Sequence, residues 1–262
     1  MFDSGVGGLS ILRALQQQLP NESFVYLADS AHAPYGERDS AFVIGRALHI
    51  VTLLRQQHGI KALVVACNTA TALAIQALRE AFADMPILGV EPAIKPAAAF
   101  SSTKHVGVMA TPATLQSDKF QTLLQSLASE SEFVLQACEG LADAIERQWQ
   151  QSDNTEVLNL CTKYLQAMGS FGNQPHQMDT LVLGCTHYPF AIDELRSRIG
   201  PDVNIVEPGE PVARQTQKVL AAQGLLNDQR HASVVLMATG ETKSLEHAAQ
   251  RWLFLNTQVT SI

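Results

Sequence analysis

The sequence lacks the features that mark membrane-spanning, secreted and nucleic-acid-binding proteins. Its longest apolar runs, at 62–67 and 180–185, are strand-sized and far shorter than the roughly 20 residues of a membrane helix. Lys and Arg total 18 against 25 Asp and Glu and form no basic run, so neither nucleic acid nor a membrane is expected as a primary partner. The opening MFDSGVGG has neither the basic nor the apolar region of a secretory signal, which predicts a cytoplasmic protein.

Cysteine is also scarce, and its spacing excludes two common uses. The four cysteines are Cys67, Cys138, Cys161 and Cys185. They contain no CxxC pair and no arrangement typical of a disulfide framework or a zinc site. We therefore expect free thiols and no bound metal.

The sequence does contain short apolar stretches that alternate with helical ones, the pattern of parallel α/β folds. Strands are predicted near residues 24–28, 62–66, 87–90, 106–109, 133–136, 181–184, 204–206 and 233–238. Thr111-Pro112 and Tyr188-Pro189 are typical of helix starts, because proline is favoured in the first turn.

One segment of the chain repeats with a similar pattern. LVVAC at 63–67 and LVLGC at 181–185 share their hydrophobic pattern, and each ends in cysteine before a helical stretch. We interpret the chain as two similar α/β domains related by pseudo-twofold symmetry, the first formed by 1–92 plus 205–262 and the second by 93–204. Ligands of open α/β sheets bind beyond the carboxyl ends of the strands, so we expect an active site in the cleft between the domains.

Cys67 and Cys185 occupy positions that suit acid–base chemistry. A cysteine at a strand end before a helix lies near free backbone N–H groups and the positive helix end, which favour a thiolate. Two such thiols suit the removal of a proton from one face of a carbon and its return to the other. Asp3 begins the first loop, and His187 lies two residues after Cys185. Both are candidate proton-transfer partners. Cys138 and Cys161 lack polar neighbours of this kind, so we expect buried apolar side chains there.

Two further segments could contact an anion. The glycines of DSGVGGLS at 3–10 precede a helix and could hold a carboxylate, although they do not match the dinucleotide pattern GxGxxG. PYGER at 34–38 is compatible with a plain surface loop, or with a site where Tyr35 offers its hydroxyl and Gly36 its backbone N–H.

Taken together, FDSGVGGLSIL at 2–12, PYGER, ACNTATA at 66–72, GVEPAIKPA at 89–97 and LGCTHYP at 183–189 resemble the glutamate racemases of the aspartate/glutamate racemase superfamily. The resemblance spans nearly the whole chain. It implies an isomerase that interconverts L- and D-glutamate without a cofactor and supplies D-glutamate for peptidoglycan, and thus for cell wall biogenesis and cell shape. It also implies domain closure over the substrate, a homodimer, and a cell-wall precursor as a possible activator.

The resemblance also implies roles for individual residues. Cys67 would deprotonate D-glutamate with help from Asp3, and Cys185 would deprotonate L-glutamate with help from His187. Glu146, in ACEGLADAIE at 137–146, would be the acidic neighbour of His187, although this segment lacks the proline common in the family. The residues implied to contact the substrate are Asp3, Ser4, Tyr35, Gly36, Asn68, Thr69, Thr114, Thr186 and His187.

The sequence departs from the family at its start, because only Met1 and Phe2 precede Asp3. We therefore expect a very short first strand and a loosely held Asp3. Three alternatives remain open: a racemase of aspartate or another acidic amino acid, an amidase that uses Cys185 as nucleophile with His187, and a non-catalytic amino-acid-binding protein.

Overall fold

The computed structural model describes residues 1–148, 154–228 and 232–262. The chain forms two compact units, Met1–Val90 with Gly209–Ile262, and Glu91–Pro208. Each unit contains one parallel sheet, so the predicted α/β class with two parallel-sheet units is confirmed. The predicted divisions lie after residues 92 and 204, and the units divide after Val90 and Pro208.

The strands of the described residues are short and mostly buried. In chain order they are β1 (Phe2–Asp3), β2 (Phe24–Ala28), β3 (Leu63–Val65), β4 (Ile87–Gly89), β5 (His105–Ala110), β6 (Glu132–Ala137), β7 (Thr180–Gly184), β8 (Asn204–Val206), β9 (Val234–Ala238) and β10 (Val259–Ser261).

The α-helices connect successive strands, as parallel sheets require. They are α1 (Leu9–Gln18), α2 (Ser40–His58), α3 (Asn68–Ala81), α4 (Ile94–Phe100), α5 (Pro112–Gln116), α6 (Asp118–Leu127), α7 (Leu141–Arg147), α8 (Thr155–Met168), α9 (Ile192–Ile199), α10 (Gly209–Ala222) and α11 (Thr242–Leu253). Short 3₁₀ helices cover Ser30–His32, Tyr35–Glu37 and Tyr188–Ala191.

The first unit contains a six-stranded sheet in the order β10-β9-β2-β1-β3-β4, with every pair parallel. The two-residue β1 lies inside this sheet, where Phe2 pairs with Leu27 on one side and with Val65 on the other. Parallel strands end at the same edge of a sheet. The residues that end or follow β1, β2 and β3 therefore lie along one edge.

The second unit contains a four-stranded parallel sheet in the order β6-β5-β7-β8. β5 and β7 are neighbours in register, with Ala110 opposite Gly184. This register brings Thr111 and Cys185, which follow these two strands, to the same edge. All five residues of β7 are buried, as expected for a central parallel strand that is covered on both faces.

Most sequence predictions of the elements hold, with small differences at their ends. Thr111 caps α5, and its Oγ1 accepts a hydrogen bond from Thr114 N at 3.3 Å, as the Thr-Pro pattern predicts. The helix predicted at Tyr188 starts later, because the residues after Cys185 form a 3₁₀ turn and α9 begins at Ile192. Strand β10 is missed because only Val259 of its three residues is buried, which leaves almost no hydrophobic pattern.

The short first strand is confirmed, but Asp3 is not loosely held. Asp3 is fully buried, and its backbone carbonyl accepts from Asp29 N at 2.9 Å. Pairing of β1 with a strand on each side holds Asp3 in place. None of the helices in the described part of the chain is long and apolar enough to cross a membrane.

Candidate active site

Cys67 lies between β3 and α3 in the first unit. Its side chain caps the helix, with Sγ accepting a hydrogen bond from Ala70 N at 3.4 Å. The residue is only 6% exposed. The thiol also donates to Ser4 Oγ at 3.8 Å. The helix N-terminus favours negative charge on the sulfur, while Ser4 offers a path for its proton.

Asp3 and Ser4 continue this path away from the sulfur. Ser4 Oγ donates to Asp3 Oδ1 at 3.2 Å, and the same carboxylate oxygen accepts from Gly5 N at 2.9 Å. Ala66 N donates to Phe2 O at 2.8 Å, which holds the strand of Asp3 beside that of the cysteine. The structure thus brings Cys67, Ser4 and Asp3 into one buried chain of contacts.

Gly8, at the end of the turn at residues 5–8, is packed too tightly to be replaced by a larger residue. A Cβ on Gly8 would lie 2.8 Å from Asp3 Cβ, 2.9 Å from the Tyr26 hydroxyl and 3.0 Å from Ala66 Cβ. The Tyr26 hydroxyl donates to Gly5 O at 2.5 Å. Sequence analysis missed Tyr26, because its position within β2 carries no motif.

Asn68 and Thr69 form the first turn of α3 and are both buried. Asn68 Nδ2 donates to Val90 O at 3.1 Å, which fixes the orientation of the amide. Its Oδ1 is buried and has no hydrogen-bond partner among the residues that the structure describes. An unsatisfied buried acceptor is costly, so this oxygen is suited to receive a donor from a ligand.

Tyr35 is buried, so PYGER is not the plain surface loop of the first interpretation. Its side chain is 1% exposed, and its hydroxyl donates to Asp29 Oδ2 at 2.5 Å. Arg46 donates to both oxygens of the same carboxylate, at 3.0 and 2.7 Å. Gly36 is half-buried, whereas the residues after it are exposed. Sequence analysis missed Asp29 and Arg46, although the position of Asp29 directly after a strand was an available signal.

Cys185 follows β7 in the second unit and has a different partner. Its Sγ lies 3.8 Å from His187 Nδ1, and His187 Nε2 lies 2.7 Å from Glu146 Oε2. The side chains of His187 and Glu146 are 8% and 21% exposed. Glu146 lies on α7, so the structure brings together three residues that are separated by up to 41 positions in the sequence.

The surroundings of His187 favour its charged form. Burial alone would lower the pKa of the imidazole, but hydrogen bonds to Cys185 and Glu146, and the negative charge of Glu146, outweigh it and raise the pKa well above its usual value. An imidazolium next to a cysteine stabilises a thiolate. His187 can therefore hold a proton close to the Cys185 sulfur.

Two predicted substrate contacts lie near Cys185 in the second unit. Thr186 follows the cysteine directly and is 2% exposed. Thr114 lies on α5, and its hydroxyl is 2.9 Å from that of Thr111. Because β5 and β7 are paired neighbours, both threonines lie near the edge of the sheet where Cys185 is found.

Cys138 and Cys161 are buried in the apolar core of the second unit, as predicted. Burial raises the pKa of the Cys138 thiol far above its usual value and that of Cys161 to about 12. Both are therefore protonated at neutral pH and poorly suited to proton transfer. In the described ranges, no three His, Cys, Asp or Glu side chains cluster as metal ligands.

Comparison with known proteins identifies the family to which the chain belongs. The family model Asp/Glu/Hydantoin racemase matches residues 8–216. A glutamate racemase from Ralstonia pickettii (strain 12J) is 45% identical over 246 residues, which is 94% of this chain and 84% of the relative.

Solved structures give the same picture for the fold. Glutamate racemase from Bacillus anthracis superposes with a TM-score of 0.86 at 33% identity, over 100% of this chain and 95% of that one. Escherichia coli glutamate racemase, solved in complex with L-glutamate and the activator UDP-MurNAc-ala, superposes with a TM-score of 0.82 at 31% identity, over 96% of this chain and 93% of that one.

Proposed function

Because the chain belongs to the Asp/Glu/hydantoin racemase family, we propose that it is a glutamate racemase that interconverts L- and D-glutamate. The observation that carries the proposal is that Cys67 and Cys185 each follow a parallel strand and each contact a proton-carrying side chain. A reaction that inverts a carbon by proton exchange needs two such groups.

The proposed reaction moves two protons and leaves no other change. One cysteine, as thiolate, takes the α-proton of glutamate. The other, as thiol, donates its proton to the opposite face of the same carbon. The carbon is inverted, and the two sulfurs exchange their protonation states. We assign the deprotonation of D-glutamate to Cys67 and that of L-glutamate to Cys185.

For Cys67, we propose that Asp3 receives and returns the proton through Ser4. The thiol donates to Ser4 Oγ and Ser4 Oγ donates to Asp3, so the donors and acceptors already point in one direction. For Cys185, we propose that His187 does this directly, with Glu146 holding its far nitrogen. The short His187–Glu146 distance supports this assignment, because it fixes the orientation of the ring.

The α-proton of an amino acid is a very weak acid, so the charge that develops when it leaves must be met by fixed donors. We propose that Ser4, Tyr35, Gly36, Asn68, Thr69, Thr114 and Thr186, with Asp3 and His187, hold the ammonium and carboxylate groups of glutamate. The buried Asn68 Oδ1 supports this proposal, since the substrate ammonium would satisfy it.

No cofactor is included in the proposed reaction, because the two thiols and their partners account for both proton transfers. We further propose that the protein works in the cytoplasm, supplies D-glutamate for peptidoglycan, and forms a homodimer. The E. coli relative was solved with the activator UDP-MurNAc-ala, so we include a cell-wall precursor of that kind as a candidate activator.

The first experiment follows the α-proton of L-glutamate by NMR in D₂O, together with optical rotation, using purified metal-free protein. We expect the proton signal and the rotation to disappear together. Optical rotation that stays constant would overturn the proposed racemisation. Parallel rates on L-aspartate separate a glutamate racemase from a racemase of aspartate.

The variant Cys67→Ala separates racemisation from the amidase alternative. Two-base exchange requires both sulfurs, so we expect this variant to lose racemisation. An amidase that uses Cys185 and His187 alone would instead keep its activity. Non-catalytic binding of glutamate would leave the α-proton in place in every variant.

A further inference from the structure

A second buried carboxylate lies beside Asp3 in the first unit. Asp29 directly follows β2, is fully buried, and donates its backbone N–H to Asp3 O at 2.9 Å. The two aspartates therefore lie at the ends of neighbouring strands. The hydrogen bonds of the Asp29 carboxylate go to side chains outside the proton-transfer path described above.

The Asp29 carboxylate connects four segments of the chain. Arg46 of α2 donates to both oxygens, as a planar guanidinium does to a carboxylate. Thr239, after β9, donates to Oδ1 at 2.8 Å, and His32 Nδ1 lies 3.0 Å from the same oxygen. The Tyr35 hydroxyl donates to Oδ2 at 2.5 Å.

The contact with Asp29 determines what Tyr35 can do. A phenol has one proton, and Tyr35 donates it to Asp29. Burial and the neighbouring Asp29 charge raise the pKa of Tyr35 far above its usual value, so the phenol stays neutral. The hydroxyl therefore has no proton left for the substrate. What the segment can still offer is its backbone N–H groups, at positions that the Tyr35 side chain fixes.

We propose that Asp29 and Arg46 form a positioning pair that anchors Tyr35, and with it the backbone of Tyr35 and Gly36, for binding of the substrate. The inference rests on the proposed function, since it concerns how the same substrate is held. Tyr35 lies in the same apolar cluster as Cys67, so a shift of the anchored segment reaches the surroundings of that sulfur.

A second ion pair in the same unit provides a matched control. Arg55 donates to both oxygens of Asp84 at 2.8 and 2.7 Å, so this pair, like the Arg46–Asp29 pair, has a two-point contact. Its side chains are 37% and 66% exposed, whereas the Asp29 side chain is fully buried. Both are pairs of one arginine and one aspartate. They differ in burial, and only the Arg46–Asp29 pair also contacts Tyr35.

The test compares Tyr35→Phe, Asp29→Asn and Arg46→Lys with the control Asp84→Asn. We measure kcat and KM for both enantiomers of glutamate. Loss of one hydrogen bond that orders the binding segment is expected to raise KM about tenfold in Tyr35→Phe, with a smaller change in kcat. Arg46→Lys, which keeps the charge but loses the two-point contact, is expected to raise KM by less. Asp84→Asn is expected to match the wild type.

A second readout does not depend on activity. Amide hydrogen exchange of residues 35–38 is expected to be faster in Tyr35→Phe than in the wild type, and unchanged in Asp84→Asn. Removing one partner of a buried ion pair is strongly destabilising, so Asp29→Asn can fail to fold. Tyr35→Phe, which only loses a hydroxyl, then decides the question.

The outcomes separate this inference from the proposed function. A folded Tyr35→Phe variant with wild-type KM and wild-type exchange at 35–38 overturns the positioning role. A loss confined to kcat also overturns it, because substrate positioning must appear in KM. Faster exchange at 35–38 in Tyr35→Phe, combined with a wild-type protein that leaves glutamate unchanged, supports the anchor and contradicts the glutamate racemase proposal.

Discussion

The surroundings of Cys67 and Cys185 differ in how their proton partners are arranged. Each cysteine follows a buried parallel strand and is 6% exposed. Cys67 caps a helix and contacts a neutral hydroxyl, with the Asp3 carboxylate behind it. Cys185 contacts an imidazole, with the Glu146 carboxylate behind that.

This difference shows that equivalent positions in the two units, each directed by a preceding parallel strand, can have different kinds of proton partner. At Cys67 the helix N-terminus supplies part of the positive field, so a neutral serine suffices as the nearest group. The chain after Cys185 forms a 3₁₀ turn and not an α-helix. Cys185 therefore has no helix N-terminus of the kind that Cys67 caps. A cationic imidazole takes over that role. We therefore expect changes near Cys185 to reduce activity more than changes near Cys67.

The equilibrium between the two enantiomers constrains the values of kcat/KM in the two directions. L- and D-glutamate have equal free energy, so kcat/KM is equal in the two directions for the wild type and for every variant. A side chain that assists one cysteine therefore lowers kcat/KM equally in both directions. Its preference for one direction can appear only in the separate values of kcat and KM.

Among the side chains that assist the two cysteines, the largest effect is expected for His187→Gln. Loss of a positioned acid–base group typically costs about 10²- to 10⁴-fold, so we expect kcat/KM to fall about 10³-fold. Initial rates from circular dichroism with each enantiomer measure it. His58→Gln, at an exposed position in the last turn of α2, is the control. A loss of less than tenfold would contradict the proposed role of His187.

Asp3→Asn is expected to have the next largest effect, about 10²-fold in kcat/KM, at the lower end for an acid–base partner. If Asp3 acts through Ser4, the double variant with Ser4→Ala should lose no more activity than the more impaired single variant. Steady-state rates of the three variants give this comparison. Losses that multiply would show that the two side chains act independently.

Glu146→Gln is expected to lower kcat/KM about tenfold, less than the loss of His187 itself, because the imidazole remains but loses its charged partner. Glu146 helps to raise the pKa of His187, so the variant should have a lower His187 pKa. The high-pH limb of the rate profile should therefore move to lower pH. The control is Glu156→Gln, an exposed carboxylate that pairs with Arg147. A profile that keeps its high-pH limb would show that Glu146 does not act on His187.

The same pKa shift has a consequence for stability. The pKa of His187 is higher in the folded protein than its usual value, so its contribution is complete below pH 6.5 and is lost as pH rises through the folded value. The difference in unfolding free energy between wild type and Glu146→Gln should accordingly shrink at alkaline pH. Urea unfolding across this range measures it.

The smallest effect on activity is expected for Cys161→Ala. This thiol lies in the apolar core of the second unit, and its pKa is raised to about 12 by burial. We expect kcat/KM within about twofold of wild type and a loss of ~1 kcal/mol in unfolding free energy from the small cavity. Activity assays and urea unfolding check both. A large loss of activity with intact folding would mean that a third cysteine takes part in the reaction.

Much of the fold could be predicted from the sequence, because the strands are local apolar runs. Leu63–Val65 and Thr180–Gly184 are buried on both faces and are rich in Val and Leu, so each is recognisable without knowing its neighbours. The positions of Cys67 and Cys185 at the ends of these strands follow directly. β10 could not be predicted, since an edge strand with one buried residue leaves no pattern.

The residues around the cysteines were only partly predictable. Asp3 and His187 are close to recognisable motifs. Asp29, Arg46 and Tyr26 lie outside these motifs. Asp29 accepts hydrogen bonds from Tyr35 and Arg46, and Tyr26 donates one to Gly5. These contacts form only when the strands are ordered in the sheet. A motif contains its own residues but not the buried groups that hold it in place.

The sequence by itself determined the alternation of strands and helices and the strand-end positions of both cysteines, because burial of apolar runs and helix capping are local properties. Tertiary structure alone decided which side chains meet those positions. His187 reaches Glu146 across 41 residues, and Asp29 reaches Arg46 across 17. Such contacts depend on how helices pack against the sheet, since a hydrogen bond requires two atoms within about 3 Å and no local pattern encodes that distance.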